Sequence, residues 1–347
     1  MRALLLSSYR HLEIADMPPP VPGPDDVLVR VAACGICGSD VHGYDGSSGR
    51  RIPPIVMGHE AAGTVTATGA RVRNFSVGDR VTFDSTISCG ACDYCNRGEI
   101  NLCDNRRVLG VSCADYRCAG AFAEYVVVPQ HIVHLLPESF SFSEAAMLEA
   151  VSVALHAVSL SRIDSGQKAL VLGAGMIGLL TLQALRVAGC SRVFVADVDP
   201  SRLKLATDLG ASAALLATEA ELISQISDLT HGRGVDVALE AVGIQETVRT
   251  AIDCVRKGGA VTLVGNIEPE VKLPLQKVVT RQIRLQGSCA SAGEFPQAIK
   301  LVGSGRIQVK PLITAIAPLE EGPRWFERLH SREPNLMKVV LTTGAPE

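Results

Sequence analysis

The chain changes rhythm near residue 150. Before that point, short runs of small and β-branched residues alternate with glycine- and proline-rich turns. Val27–Ala33 reads as a strand that closes at Gly35, and the prolines at 18–20, 22 and 24 exclude helix ahead of it. Ala61–Thr68 alternates small and β-branched residues, and Val77–Val81 reads as a turn between two strands. Gly120–Pro129 is a turn followed by a strand, and Ala145–Ala157 has helical character. This half predicts a β-rich, barrel-like domain. From Ala169 the pattern becomes alternating strand and helix. Ala169–Leu172 is a buried strand, a helix runs to about Ala188, and Val193–Ala196 is the next strand. Further strands are expected at Ala213–Leu216, Val235–Leu239, Ala260–Val264 and Ile283–Gly287, making six parallel strands in a doubly wound sheet. The last strand, Lys338–Leu341, is expected back in the first domain. The expected fold class is therefore α/β, with residues 1–150 and 290–347 in the β-rich domain and 151–289 in the parallel one.

Composition narrows the function classes. A chain of 347 residues, 47% hydrophobic and 20% charged, suits a globular protein of two domains. A net charge of −3 offers no basic footprint for nucleic acid or an anionic membrane. No apolar run reads as long enough to span a bilayer, and the N-terminal apolar stretch stops at Ser7, too short for a signal-peptide core. A cytoplasmic protein is expected. Eleven cysteines, an odd number with no secretory signal, read as metal ligands where they cluster rather than as a disulfide framework. Cys34, Cys190, Cys254 and Cys289 are expected to be packed core thiols.

Three motifs carry chemistry. Cys37-Gly38-Ser39-Asp40-Val41-His42 gathers a thiol, a hydroxyl and an imidazole on what is expected to be a loop leaving a strand. Gly58-His59-Glu60 adds a candidate ligand in His59, although consecutive residues of a strand face opposite ways and both could meet one metal only on irregular backbone. Cys89-x2-Cys92-x2-Cys95-x7-Cys103 supplies four thiolates, enough to close a tetrahedral zinc site within a lobe spanning 86–106; its spacing differs from ferredoxin runs. Arg97, Arg106 and Arg107 are expected to offset the thiolate charge. Glu149, a carboxylate inside an apolar helix, is best explained by metal contact, direct or through water. Arg50 and Arg51 read as solvated loop arginines in preference to a sugar-phosphate site. In the second half, Gly173-x-Gly175-x-x-Gly178 follows a strand and opens a helix, and Asp197 ends the next strand 19 residues after Gly178. That context makes it a dinucleotide-binding turn.

With these residues in place, the sequence resembles the zinc-containing medium-chain alcohol dehydrogenases over nearly its whole length. Gly38 and Glu149 make it most similar to the polyol, sorbitol-type subgroup. The resemblance implies a GroES-like catalytic domain, a Rossmann domain and a homo-oligomer, dimer or tetramer. It implies a catalytic zinc on Cys37 and His59, with Glu60 as direct ligand and Glu149 acting through water, two roles the sequence does not separate. Structural zinc would sit on Cys89, Cys92, Cys95 and Cys103. Ser39 would bind the substrate hydroxyl and His42 would pass its proton to solvent. NAD would be held by Gly173, Gly175, Met176, Ile177, Gly178, Asp197, Arg202 and Lys338. The implied reaction is hydride transfer from a secondary alcohol, a sugar alcohol or related polyol, to NAD. One departure stands out: Cys289–Gly293 replaces an Arg-Tyr pair of sorbitol-type enzymes, which points away from sorbitol itself. The alternatives are a threonine-type amino-alcohol dehydrogenase and a non-enzymatic dinucleotide-binding protein, the latter disfavoured by the complete catalytic set.

Overall fold

A computed structural model describes residues 1–216 and 219–344, in two compact units. The first unit comprises 1–149, 295–303 and 309–347. Its main sheet has the spatial order Val133–Leu135, Arg80–Phe83, Glu60–Thr68, Asp26–Gly35, Lys338–Thr342, Ile313–Pro318, with Tyr125–Pro129 also paired to Asp26–Gly35. The strand Asp26–Gly35 is central because its side chains are buried on both faces along its second half. Val27, Val29 and Val31 enter the core with Phe83 and Phe122, and Phe122 meets Phe326 edge-on with ring centroids 5.7 Å apart. The antiparallel register pairs Gly35 with both Glu60 and Val340, so three distant segments converge where this strand ends.

The second unit comprises 150–294 and 304–308. Among its described residues, six parallel strands run in the order Ala213–Leu215, Arg192–Ala196, Lys168–Leu172, Val235–Glu240, Val255–Leu263, Arg284–Gly287. The order reverses beside Lys168–Leu172, which opens a crevice at the C-terminal ends of Lys168–Leu172 and Val235–Glu240. Leu170, Phe194, Ala238 and Val261 fill the sheet's core. Residues 304–308 are tied to this unit by the side-chain amide of Gln183, inside helix Met176–Val187: its Oε1 accepts from Gln308 N–H at 2.7 Å and its Nε2 donates to Gln308 O at 3.1 Å.

Several expectations are corrected. The helical character read over 145–157 resolves into helices Phe142–Ala145 and Leu148–Ser161, and strand 260–264 begins earlier, at Val255. The stretch Phe142–Ser161 is long and apolar enough, by length and composition, to cross a membrane, contrary to the reading of apolar runs. Burial of 72% of that window accounts for its apolar character. Cys34 and Cys254 are buried, but Cys190 is half-buried and Cys289 is exposed, so the last two are not core thiols.

Candidate metal centres and dinucleotide turn

Cys37 lies on the short connection leaving strand Asp26–Gly35, as expected, but the rest of its motif is helical and not loop. Its backbone N–H donates to Asp40 Oδ2 at 3.2 Å, and the chain enters helix Gly38–Tyr44 directly after it. Ser39 and His42, three residues apart, therefore share one helical face, and both are exposed. Opposite them, Gly58 adopts φ +93°, where a Cβ would lie 2.8 Å from the Phe122 ring. The strand starts only at Glu60. His59 thus precedes the pleat, and this irregularity turns two consecutive side chains toward one point. Donor atoms of Cys37, His59 and Glu60 lie within 4.8 Å of one another.

Buried charges hold this cluster. Asp40 Oδ1 is 3.3 Å from His59 Nδ1 and 3.3 Å from Arg51 Nη2. With Nδ1 facing Asp40, Nε2 is the imidazole nitrogen left for a metal. Burial pushes the Asp40 carboxyl up, but His59 and Arg51 override it and hold its pKa at about 2. Glu60 is ion-paired to Lys338, whose Nζ also donates to Ile36 O at 3.1 Å. Burial favours neutral Lys338, yet Glu60 and Cys37 raise its pKa above the ordinary lysine value. Glu149 is not brought into the three-donor set. Its Oε1 accepts from Ser85 Oγ at 3.2 Å, and desolvation pushes its pKa up to about 7. A thiolate, an imidazole and a carboxylate with room for a fourth ligand suit zinc in an open site.

The four-cysteine lobe is built differently. Cys92 precedes the single turn Asp93–Asn96, and Cys103 follows the 3₁₀ turn Ile100–Leu102. Sulfur–sulfur separations of 3.5 Å (Cys92–Cys95) and 4.0 Å (Cys89–Cys95) bracket the edge of about 3.8 Å expected of a tetrahedron with ordinary zinc–sulfur bonds. Backbone N–H groups of Ala91 and Cys92 lower the Cys89 pKa to about 6, and Cys89 N–H donates to Cys103 Sγ at 3.2 Å. These donors favour thiolates, most clearly at Cys89, whereas desolvation outweighs them at Cys103 and pushes its pKa up to about 11. Arg97 does not serve as their counter-charge as expected: it pairs with Glu99 at 3.0 Å and lies over the Tyr94 ring.

In the second unit, Gly175 caps helix Met176–Val187, so the N–H groups of Met176 and Ile177 open its first turn. At Gly178 a Cβ would lie 1.7 Å from Gly173 O, so only glycine permits this close approach of turn and helix. At Gly175 a Cβ would meet nothing within 4 Å, which leaves the backbone open to a ligand. Asp197 faces the same turn, with Oδ2 accepting from Ala174 N–H at 2.6 Å and Oδ1 from Asp199 N–H at 2.9 Å. Arg202 is directed at Asp199, 3.5 Å away. The turn fits a pyrophosphate. Lys338 belongs to the first unit, where its ammonium is held on Glu60.

Two family models match the chain. The alcohol dehydrogenase GroES-like domain matches residues 23–138, and the zinc-binding dehydrogenase model matches 177–304. A sorbitol dehydrogenase from Bacillus subtilis (strain 168) is 33% identical over 345 residues, covering 98% of this chain and 97% of the relative. The chain belongs to the zinc-containing medium-chain alcohol dehydrogenases. Another member, an L-idonate 5-dehydrogenase from Vitis vinifera, is 36% identical over 319 residues, covering 90% and 86%. The structure of a zinc-binding dehydrogenase from Sinorhizobium meliloti 1021, bound to NADP, superposes with a TM-score of 0.88 at 32% identity, covering 98% of both chains.

Within this alcohol dehydrogenase, sequence reasoning missed what stands behind the ligands. Asp40 was inside the motif, and its position three residues after Cys37 was the signal for a helix cap. Arg51 and Lys338 gave no local signal, because the groups they pair with are brought near only by folding. The departing segment 289–293 is anchored in its own unit by Glu294, which accepts from Ala292 N–H and pairs with His156 at 2.8 Å.

Proposed function

We propose that this protein oxidises a secondary alcohol of a small polyol, with zinc on Cys37, His59 and Glu60 and with NAD as hydride acceptor. The observation that carries the reading is the buried three-donor cluster beside a helix presenting Ser39 and His42. When bound, zinc supplies Lewis-acid polarisation of the alcohol oxygen and the nicotinamide accepts the carbinol hydride. The chain's own residues handle the proton. Ser39 Oγ accepts it from the alcohol as the carbonyl forms, and His42 passes it to solvent. Ser47 Oγ donates to His42 O at 3.2 Å and keeps a lone pair facing His42 Nδ1 at 3.4 Å. That contact favours a proton on Nδ1 and leaves Nε2 free to accept. Lys338 neutralises Glu60, and Glu149, a half-buried carboxyl, would act on the zinc through water. The four-cysteine lobe binds a second, structural zinc with no open position.

The relatives named for sorbitol and idonate support a polyol over an amino alcohol. NAD preference rests on Asp197, whose charge would face the extra phosphate of NADP. The engagement of Arg202 with Asp199 supports the same preference, since it directs the nearby cation away. We infer a cytoplasmic setting and a homo-oligomer, the latter readable by light scattering. The test is nicotinamide reduction over a panel of polyols, sugar phosphates, simple secondary alcohols and threonine, with each cofactor. The expected result is turnover on a polyol and a preference for NAD that Asp197→Ala reduces by about tenfold or more. Turnover on threonine alone, or a wild-type preference for NADP, would overturn the corresponding part.

A further inference from the structure

Arg51 is neither a solvated loop residue nor free to bind a phosphate. It is 4% exposed, and its backbone is pinned by hydrogen bonds of Ile52 and Arg50 with Ser112, including Ile52 N–H to Ser112 O at 3.1 Å. Its stem lies against helix Gly38–Tyr44 so closely that a Cβ at Gly43 would fall 2.1 Å from Arg51 Cγ. From there Nη2 reaches Ser39 Oγ at 3.3 Å and Asp40 Oδ1 at 3.3 Å, while Nη1 donates to Arg50 O at 3.2 Å.

We propose that Arg51 is a positioning residue for the reaction: it orients the Ser39 hydroxyl and shares Asp40 with His59. The inference rests on the reading of Ser39 as the group that takes the alcohol proton. A guanidinium has donors and no acceptor, so it can only donate to Ser39 Oγ. A serine hydroxyl carries one hydrogen and two lone pairs and otherwise rotates freely. With one lone pair occupied by Arg51, the other is left for the alcohol proton and the hydroxyl hydrogen is left to pass onward. Sharing of Asp40 Oδ1 has a second consequence. Asp40 orients the imidazole of His59, and the guanidinium draws on the same oxygen, so removing Arg51 leaves His59 as the sole partner of that oxygen.

The test uses the full-length protein with Arg51→Met, Arg51→Lys and Gly43→Ala. Arg51→Met should lower kcat by about 10- to 100-fold with KM for the alcohol changed less than about threefold. Its solvent deuterium isotope effect should rise, because proton transfer becomes slower relative to hydride transfer. Arg51→Lys should recover part of the loss. Gly43→Ala keeps the charge but displaces the stem, and should reproduce the Arg51→Met pattern, which decides the matter should Arg51→Met fail to fold. With cobalt(II) in place of zinc, the visible ligand-field bands should shift in Arg51→Met, because Asp40 then acts on His59 alone. Unchanged kcat, isotope effect and cobalt spectrum in a folded variant would overturn the proposal. If the wild type oxidises no alcohol, the functional reading falls, and the cobalt spectrum alone decides whether Arg51 acts on the metal cluster.

Discussion

The two metal-capable clusters of this chain are assembled by opposite strategies. Cys37, His59 and Glu60 come together where a central strand ends, and Lys338, nearly 280 residues beyond Glu60, closes the site from behind. Their surroundings are buried and charge-balanced: Asp40 against His59 and Arg51, Glu60 against Lys338. The four cysteines span only residues 89–103, with Cys89 exposed and Cys92 and Cys95 half-buried. Within that lobe Ile87 reaches the hydrophobic core and Cys103 is buried, but Cys89, Cys92 and Cys95 are not, so there the metal must supply what packing does not. The buried cluster has the reverse economy: the fold already holds its donors, which frees a coordination position for chemistry. One cluster is a scaffold's product, and the other is a scaffold's substitute.

The largest test of that contrast is a pair of substitutions. Cys37→Ala should reduce alcohol oxidation by at least about 1,000-fold, equivalent to about 4 kcal/mol of transition-state stabilisation, with little change in melting temperature. Cys103→Ser should do the reverse in kind, lowering the melting temperature by about 5–10 °C through loss of the lobe's metal. Thermal denaturation and initial rates on the same preparations distinguish them, and equal effects on both readouts would break the contrast. Lys338→Met sharpens it next. Removing one partner of a buried ion pair leaves Glu60 uncompensated, so the metal-free protein should lose about 3 kcal/mol in denaturant unfolding. A neutral result would mean that Glu60 is solvated or protonated in the apo state.

The smallest effect calibrates the others with the histidine–carboxylate pair His156–Glu294 of the second unit. Burial pushes the Glu294 carboxyl up, but His156 and the Ala292 N–H outweigh it, and the net shift is downward from its ordinary value of 4.5. A carboxyl depressed in the folded state stabilises above its unfolded pKa and loses that contribution as pH falls through the folded value. Glu294→Gln should therefore destabilise by about 1–2 kcal/mol near neutral pH, and the gap from wild type should close below pH of about 4. A gap independent of pH would show that packing, not charge, holds this pair.

The same contrast explains what could be read in the sequence. The lobe was legible because all its ligands are local and their spacing is itself the signal. The dinucleotide turn was legible for the same reason, since Gly173 to Gly178 and Asp197 lie within one strand–helix–strand unit. Cys37 and His59 were legible as residue types, but their surroundings were not. The helix after Cys37 was hidden by Gly38 and Gly43, which weaken helical propensity, and it forms because Cys37 N–H finds Asp40. Arg51 next to Arg50 looked like a solvated pair; only the fold reveals that one is buried against Gly43 and the other exposed. Glu149 was read as a metal contact because an unpaired carboxylate in an apolar helix needs a partner, and the fold supplies Ser85.

The account depends most on the claim that the buried cluster does the chemistry and the lobe does not. The direct measurement is zinc content per chain, taken together with nicotinamide reduction on a polyol, for wild type and His59→Ala purified in the same way. Two zinc ions and turnover are expected for wild type, and for His59→Ala one zinc ion in a folded protein and no turnover. A His59→Ala protein that still oxidises the polyol at the wild-type rate would contradict it, as would one zinc ion in a fully active wild type.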